Sequence, residues 1–154
     1  MNSRHLVLAN GLHCHLYHQP EARDAAALVR VRAGSLDEPA SWPGLAHLLE
    51  HLLFCGSERF REQDRLMPWV QQQGGQVNAT TQLSTSAFFF QLPARALAQG
   101  VQRLSDMITA PLLSQQAIMQ EVAVIDAEFQ LLRHHAETLS EAALVGMLGE
   151  PFQR

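Results

Sequence analysis

The chain has 154 residues, 47% of them hydrophobic, which is enough for one domain with a hydrophobic core. Its formal net charge is −4 with histidine neutral, and its 11 basic residues form neither a run nor a stripe interleaved with aromatic residues, so nucleic-acid binding is disfavoured. The N-terminus lacks the apolar core of a signal peptide, and no stretch approaches the roughly 20 apolar residues that cross a membrane. Cys14 and Cys55 form neither a CxxC motif nor a disulfide framework. We therefore expect a cytoplasmic protein.

The first part of the chain has the pattern of a β-hairpin. Residues 5–9 and 12–17 are predicted strands, and Asn10-Gly11 between them is predicted to be a two-residue turn. His13 and His15 share one face of the second strand. They are either a metal-binding pair or, as the simpler alternative, part of a polar sheet face.

The rest of the chain mixes strand and helix patterns. In chain order we predict a strand at 25–33, a loop at 34–43, a helix bounded by Gly44 and Gly56, a helix at 64–73, strands at 76–81 and 84–92, and helices at 95–109 and 114–136. Thr138 and Glu141 resemble a capping box, which predicts a last helix that begins there. The run Phe88-Phe89-Phe90 indicates core packing. This pattern predicts an α+β fold in which one antiparallel sheet is covered by helices on one face.

Residues 47–51 read His-Leu-Leu-Glu-His, which is the most informative pattern in the chain. Helical neighbours three and four apart share a face, so His47, Glu50 and His51 point the same way. Two imidazoles one turn apart can hold zinc, and a carboxylate beside them can take a proton from metal-bound water. This spacing is the inverted form of the His-Glu-x-x-His metalloprotease motif. The alternative is an amphipathic helix that carries these side chains by chance, but the surrounding leucines indicate partial burial, and buried charged groups need partners or a metal.

A catalytic zinc site usually has three protein ligands and one position for water, so a third ligand is expected later in the chain. The candidates are the acidic residues of the long helix, Glu121, Asp126 and Glu128. Glu121 and Glu128 are seven residues apart and lie on one helix face, so one can bind the metal while the other orients a ligand. A solvated acidic stripe is the alternative. The helix pattern alone does not distinguish Glu121 from Glu128.

Three sequence blocks, in this order and at this spacing, resemble the M16 metallopeptidases, the pitrilysin and insulysin family of inverzincins. They are GLAHLLEHLLFCGS at 44–57, GGQVNATT at 74–81 and EVAVIDAE at 121–128. The resemblance implies one Zn²⁺ in the catalytic domain, held by His47, His51 and Glu128. It also implies that Glu50 is the proton acceptor and that Glu121 supports the ligands from outside the coordination shell.

The same resemblance implies a peptide substrate that pairs with an exposed strand edge at Asn78 and Ala79, with Phe54 lining a side-chain pocket. The segments LAHLLEHLLFCGSERF and MPWVQQQGGQVNATTQ are most similar to the M16 peptidases of pyrroloquinoline quinone (PQQ) biosynthesis. That narrower resemblance implies cleavage of the small precursor peptide PqqA. The alternatives are a general M16 oligopeptidase, a structural zinc site, and a non-catalytic M16-fold subunit or interaction module.

The chain is shorter than the family's pattern. M16 domains are usually longer than this chain, and the working proteases enclose their substrate between two halves. We therefore expect residues 1–154 to be a truncated N-terminal catalytic domain, which needs further C-terminal domains of the same protein for activity.

Overall fold

A computed structural model describes residues 2–132 of the chain, and these residues form strands and helices in mixed order. The strands are β1 (Asn2–Val7), β2 (His13–His18), β3 (Asp24–Val31), β4 (Gln76–Thr81) and β5 (Ser86–Pro93). The helices are α1 (Leu45–Leu53), α2 (Leu66–Gln72), α3 (Leu97–Thr109) and α4 (Gln115–Leu132). The predicted α+β class with antiparallel pairing is confirmed. The predicted end of the long helix near residue 136 and the predicted cap at Thr138 and Glu141 lie outside the described residues.

The strands form two sheets where the sequence pattern predicted one. In the part of the chain that the structure describes, β1 pairs only with β2, and the other three strands form a sheet of order β3-β5-β4. The prediction of a single sheet was wrong because alternation shows which side chains share a face but does not show which strand lies alongside.

The turn between β1 and β2 also differs from its prediction. The N–H of Gly11 donates to the C=O of Leu8 at 2.9 Å, so Ala9 and Asn10 occupy the two central positions. Gly11 comes next, with a left-handed φ of 83°. Gly11 supplies the positive φ that the turn needs, but it follows the two central residues of the turn, whereas the prediction placed it as the second of them.

The core lies between the three-stranded sheet and helices α2 and α3. Phe88, Phe90 and Leu92 alternate along β5 and are almost fully buried, as the aromatic run predicted. Gly100 of α3 lies so close to Phe90 that a Cβ atom there would be 2.7 Å from the ring. This close approach fixes α3 against the sheet.

The N-terminus of helix α1 is capped by a side chain from the preceding loop. Gly44 has a left-handed φ of 88°, and the carboxylate of Glu38 accepts hydrogen bonds from the N–H groups of Gly44 and Ala46, both at 2.8 Å. These bonds satisfy two of the donors that a helix start leaves free. Leu52 and Leu53 face the interior, which leaves the opposite side of α1 for polar side chains.

Within residues 2–132, no helix has the length and apolar character needed to span a membrane.

Candidate metal centre

The two histidines of the pentapeptide meet at one point above α1. His47 Nε2 lies 3.2 Å from His51 Nε2, and the ring planes are nearly perpendicular. Two nitrogens bound to one tetrahedral zinc would be about 3.3 Å apart, given Zn–N bonds of about 2.0–2.1 Å. The spacing of these nitrogens therefore suits a shared ion.

Helix α4 brings a carboxylate to the same point. Glu128 Oε2 lies 3.7 Å from His47 Nε2 and 3.7 Å from His51 Nε2. Of all the described residues, these three form the one group whose ligand atoms converge to within 4.8 Å of one another. Two imidazoles and one carboxylate are a donor set of catalytic zinc sites, which keep a fourth position open for water. The residues therefore fit a zinc ion.

Glu121 meets the other nitrogen of His51. Its Oε2 lies 3.0 Å from His51 Nδ1, so the ring donates its Nδ1–H to this carboxylate. A neutral imidazole carries one proton, and placing it on Nδ1 leaves the Nε2 lone pair free for a metal. Glu121 therefore orients His51 and sets its tautomer, as carboxylates beside ligand histidines commonly do.

Cys55 lies beside this carboxylate and not among the converging ligand atoms. Its thiol lies 3.7 Å from Glu121 Oε1 and 3.7 Å from the backbone oxygen of His51, and it donates to both. Burial raises the pKa of the Cys55 thiol, and the negative charge and hydrogen bond of Glu121 raise that pKa further. The thiolate is the form that binds metal, so these contacts disfavour Cys55 as a ligand.

Glu50, the predicted proton acceptor, lies on α1 near the histidines and is half-buried, as they are. The hydroxyl of Thr81, the last residue of β4, donates a hydrogen bond to Glu50 Oε2. The motif and helix spacing did not reveal Thr81, although it is the last residue of the predicted GGQVNATT block. An open cavity of about 320 Å³ adjoins the pair, and its lining residues are Ser35, Glu38, Gly44, His47, Glu50 and Thr81.

Asn78 and Ala79, two of the three predicted substrate-binding residues, lie on an edge strand. β4 pairs with β5 on one side, and nothing among residues 2–132 pairs with its other side. The N–H of Ala79 donates to the side-chain oxygen of Asn78 at 2.9 Å, so this amide is not used in the ladder with β5. Alternate residues of a strand direct their backbone groups to opposite sides, so Val77, Ala79 and Thr81 present theirs to the free edge.

The remaining candidates lie elsewhere. Phe54 is half-buried, with its ring centroid 6.1 Å from that of Phe88, and its role in a substrate pocket stays a prediction. Asp126 is exposed on α4 and does not join the converging group. His13 and His15 lie on β2 and are not members of the converging group.

The chain is similar to known peptidases over most of its length. The sequence model of the family Insulinase (Peptidase family M16) matches residues 14–151. The chain is 58% identical to coenzyme PQQ synthesis protein F of Klebsiella pneumoniae over 142 residues, which are 92% of this chain and 19% of that protein. It is 49% identical to the Pseudomonas aeruginosa protein of the same name over 150 residues, which are 96% of this chain and 19% of that protein.

Among solved structures, the chain is similar to pitrilysin. The TM-score is 0.81 at 32% sequence identity, and the match covers 86% of this chain and 14% of the pitrilysin chain. The chain thus spans about a fifth of the length of these curated relatives and less of pitrilysin.

Proposed function

The chain belongs to the insulinase family of peptidases, M16, and from this premise we propose that it is the zinc-binding part of a metalloendopeptidase. The observation that carries the proposal is the convergence of His47, His51 and Glu128 from two helices. Glu50 lies on the same side of α1, beside a cavity that gives solvent and substrate access. Three ligands and an adjacent carboxylate are the parts that metal-assisted peptide hydrolysis needs.

Each residue has a separate task in this proposal. Zinc, when bound, acts as a Lewis acid that lowers the pKa of a water molecule. Glu50 would accept a proton from the attacking water and deliver it to the leaving amine. Thr81 holds one oxygen of the Glu50 carboxylate, which leaves Oε1 to accept the proton. Glu121 holds His51 in the orientation and tautomer that zinc binding requires.

The free edge of β4 supports a way to hold the peptide. An extended substrate can add to this edge as one more strand, exchanging hydrogen bonds with the outward backbone groups of Ala79 and its neighbours. The substrate's carbonyl would then replace Asn78 Oδ1 as the acceptor for the Ala79 N–H. Thr81 ends the same strand, so this edge leads directly to Glu50.

The names of the relatives support a narrower proposal, that the whole protein acts in PQQ biosynthesis. The substrate proposed for it, a peptide derived from the precursor PqqA, rests on the sequence resemblance alone. Because the chain spans about a fifth of those relatives, we propose that further domains of the same protein complete the enzyme. Incubating the full-length protein with PqqA and analysing the products by mass spectrometry tests the substrate. Cleavage of unrelated peptides at equal rates would instead favour a general M16 oligopeptidase.

The substitution Glu50→Gln tests the catalytic proposal. We expect the full-length variant to bind zinc stoichiometrically and to lose roughly 10²–10⁴-fold in kcat, because an amide cannot accept the proton. Zinc content is measured by atomic emission and turnover by peptide cleavage, with Glu58→Gln, at an exposed position just beyond α1, as the control.

Two outcomes would contradict this role. Loss of zinc from Glu50→Gln would show that Glu50 supports the metal and not the proton transfer. Stoichiometric zinc without cleavage of any peptide in the full-length wild type would favour a structural site or a non-catalytic module.

A further inference from the structure

The two faces of the β1–β2 hairpin carry different chemistry. His5 lies directly opposite His15, and His13 lies two residues before His15 on β2. Because side chains alternate along strands, these three imidazoles share one face, whereas His18 lies on the other. The sequence pattern had paired His13 with His15, and the register adds His5.

The three rings are in contact. His5 Nε2 lies 3.2 Å from His13 Nδ1, and the His5 ring centroid lies 4.5 Å from that of His15 in a stacked arrangement. The 3.2 Å separation is close to the roughly 3.3 Å expected for two nitrogens on one tetrahedral zinc. The His15 ring stacks on His5 and its nitrogens do not converge with the other two, because the three histidines are not among the described ligand groups within 4.8 Å. The side chain of His15 is exposed, so binding of an ion requires a change of its rotamer.

No charged side chain of β1 or β2 shares this face with the three histidines. By register, Ser3, Val7 and Tyr17 are the other members of the face, and none of them carries a charge at neutral pH. Arg4 lies on the opposite face, so no cationic side chain of β1 or β2 competes for the imidazoles. A polar sheet face usually gains stability from opposite charges across strands, and this face has none.

We propose that His5, His13 and His15 form a second metal site, an all-imidazole site for Zn²⁺ with water as the fourth ligand. Neutral imidazole is a ligand that zinc prefers, and three histidines with an open fourth position form a known zinc donor set. The ion would join β1 to β2. A two-stranded hairpin is marginally stable by itself, so a bound ion would stabilise this one by mass action.

This site does not depend on the peptidase proposal, and the test separates the two. Isothermal titration of Zn²⁺ into the metal-free protein is expected to show two ions per wild-type chain. The double variant His47→Ala/His51→Ala removes the centre on α1 and is expected to bind one ion. In that background, added Zn²⁺ is expected to slow amide hydrogen exchange in residues 2–18.

A matched pair of substitutions then identifies the ligands. In the same background, His13→Asn is expected to weaken the remaining site by at least about tenfold, because a metal bond is lost. His18→Asn on the opposite face of the same strand is expected to leave it unchanged. The proposal is overturned if the double variant binds no zinc, or if His13→Asn and His18→Asn bind it equally. In either case the contact between His5 and His13 would be a hydrogen bond between neutral imidazoles.

Discussion

Glu121 and Glu128 lie on one face of α4 but meet different nitrogens of His51. Glu128 approaches Nε2, on the side where the two histidines converge, whereas Glu121 accepts from Nδ1. Sequence spacing could not separate them, because positions seven apart on a helix differ by only about 20° in direction. The position of α4 along α1 decides which glutamate reaches which nitrogen, and that position depends on how the two helices pack. The family resemblance supplied the assignment that helix periodicity could not.

We therefore expect Glu128→Ala to weaken zinc binding more than Glu121→Ala. Glu128→Ala removes a ligand, whereas Glu121→Ala releases the orientation of His51, an effect of about 10–100-fold in affinity. Competition with a chelating dye measures both affinities. Asp126→Ala, an exposed carboxylate on the same helix, is the control and should leave the affinity unchanged. The reverse ranking of the two glutamates would show that Glu121 is the third ligand.

Thr81 is the residue of the candidate site that sequence reasoning missed. A threonine at the end of a strand is common, and only the approach of β4 to α1 places its hydroxyl on Glu50. Thr81→Val keeps the side chain's shape and removes this donor.

For Thr81→Val we expect kcat of the full-length enzyme to fall by roughly ten- to a hundredfold, the worth of a hydrogen bond to a charged group of about 1.5–3 kcal/mol. KM should not change, because the peptide contacts on β4 remain. Thr80→Val, at an exposed neighbouring position, is the control, and steady-state kinetics separate the two constants. A rise in KM with kcat unchanged would assign Thr81 to peptide binding instead.

At the scale of elements, periodicity predicted what each segment is more reliably than where it lies. The alternation of β2 and the apolar run of β5 correctly predicted strands, and the glycine bounds of α1 predicted its ends within a residue or two. The separate β1–β2 sheet could not be predicted, because the choice of a strand's neighbour depends on contacts distant in sequence. In the three-stranded sheet, β4 forms a free edge among the described residues.

The edge of β4 can be tested with proline. Ala79→Pro removes an N–H that points away from β5, and proline is tolerated in edge strands whose N–H groups face solvent. We expect the full-length variant to fold, with a thermal unfolding midpoint close to wild type, and to show a raised KM because a hydrogen bond to the peptide is lost. Ala79→Ser retains the amide and is the control. An unchanged KM in the folded proline variant would argue against strand addition at this edge.

On the scale of the molecule, the candidate centre joins two parts of different character. α2, α3 and the three-stranded sheet share the buried core. α4 packs on α1 and exposes large apolar side chains, with Met119 69% and Phe129 62% accessible. Of the three candidate ligands, His47 and His51 lie on α1 and Glu128 lies on α4. A bound ion would therefore act as a cross-link that holds α4 in place.

If the ion is such a cross-link, its removal should destabilise α4 more than the other helices. We expect chelation of zinc to speed amide hydrogen exchange in α4 much more than in α3, because α3 is held by buried contacts such as Leu104 and Met107. Glu128→Ala should exchange in α4 at the faster rate with or without zinc, whereas Asp126→Ala should respond to zinc as wild type does. Any zinc effect on the β1–β2 hairpin should persist in Glu128→Ala, because His5, His13 and His15 are intact there. Equal exchange of α4 in zinc-bound and zinc-free wild type would show that packing on α1 alone positions Glu128, and that the centre is preformed before the ion binds.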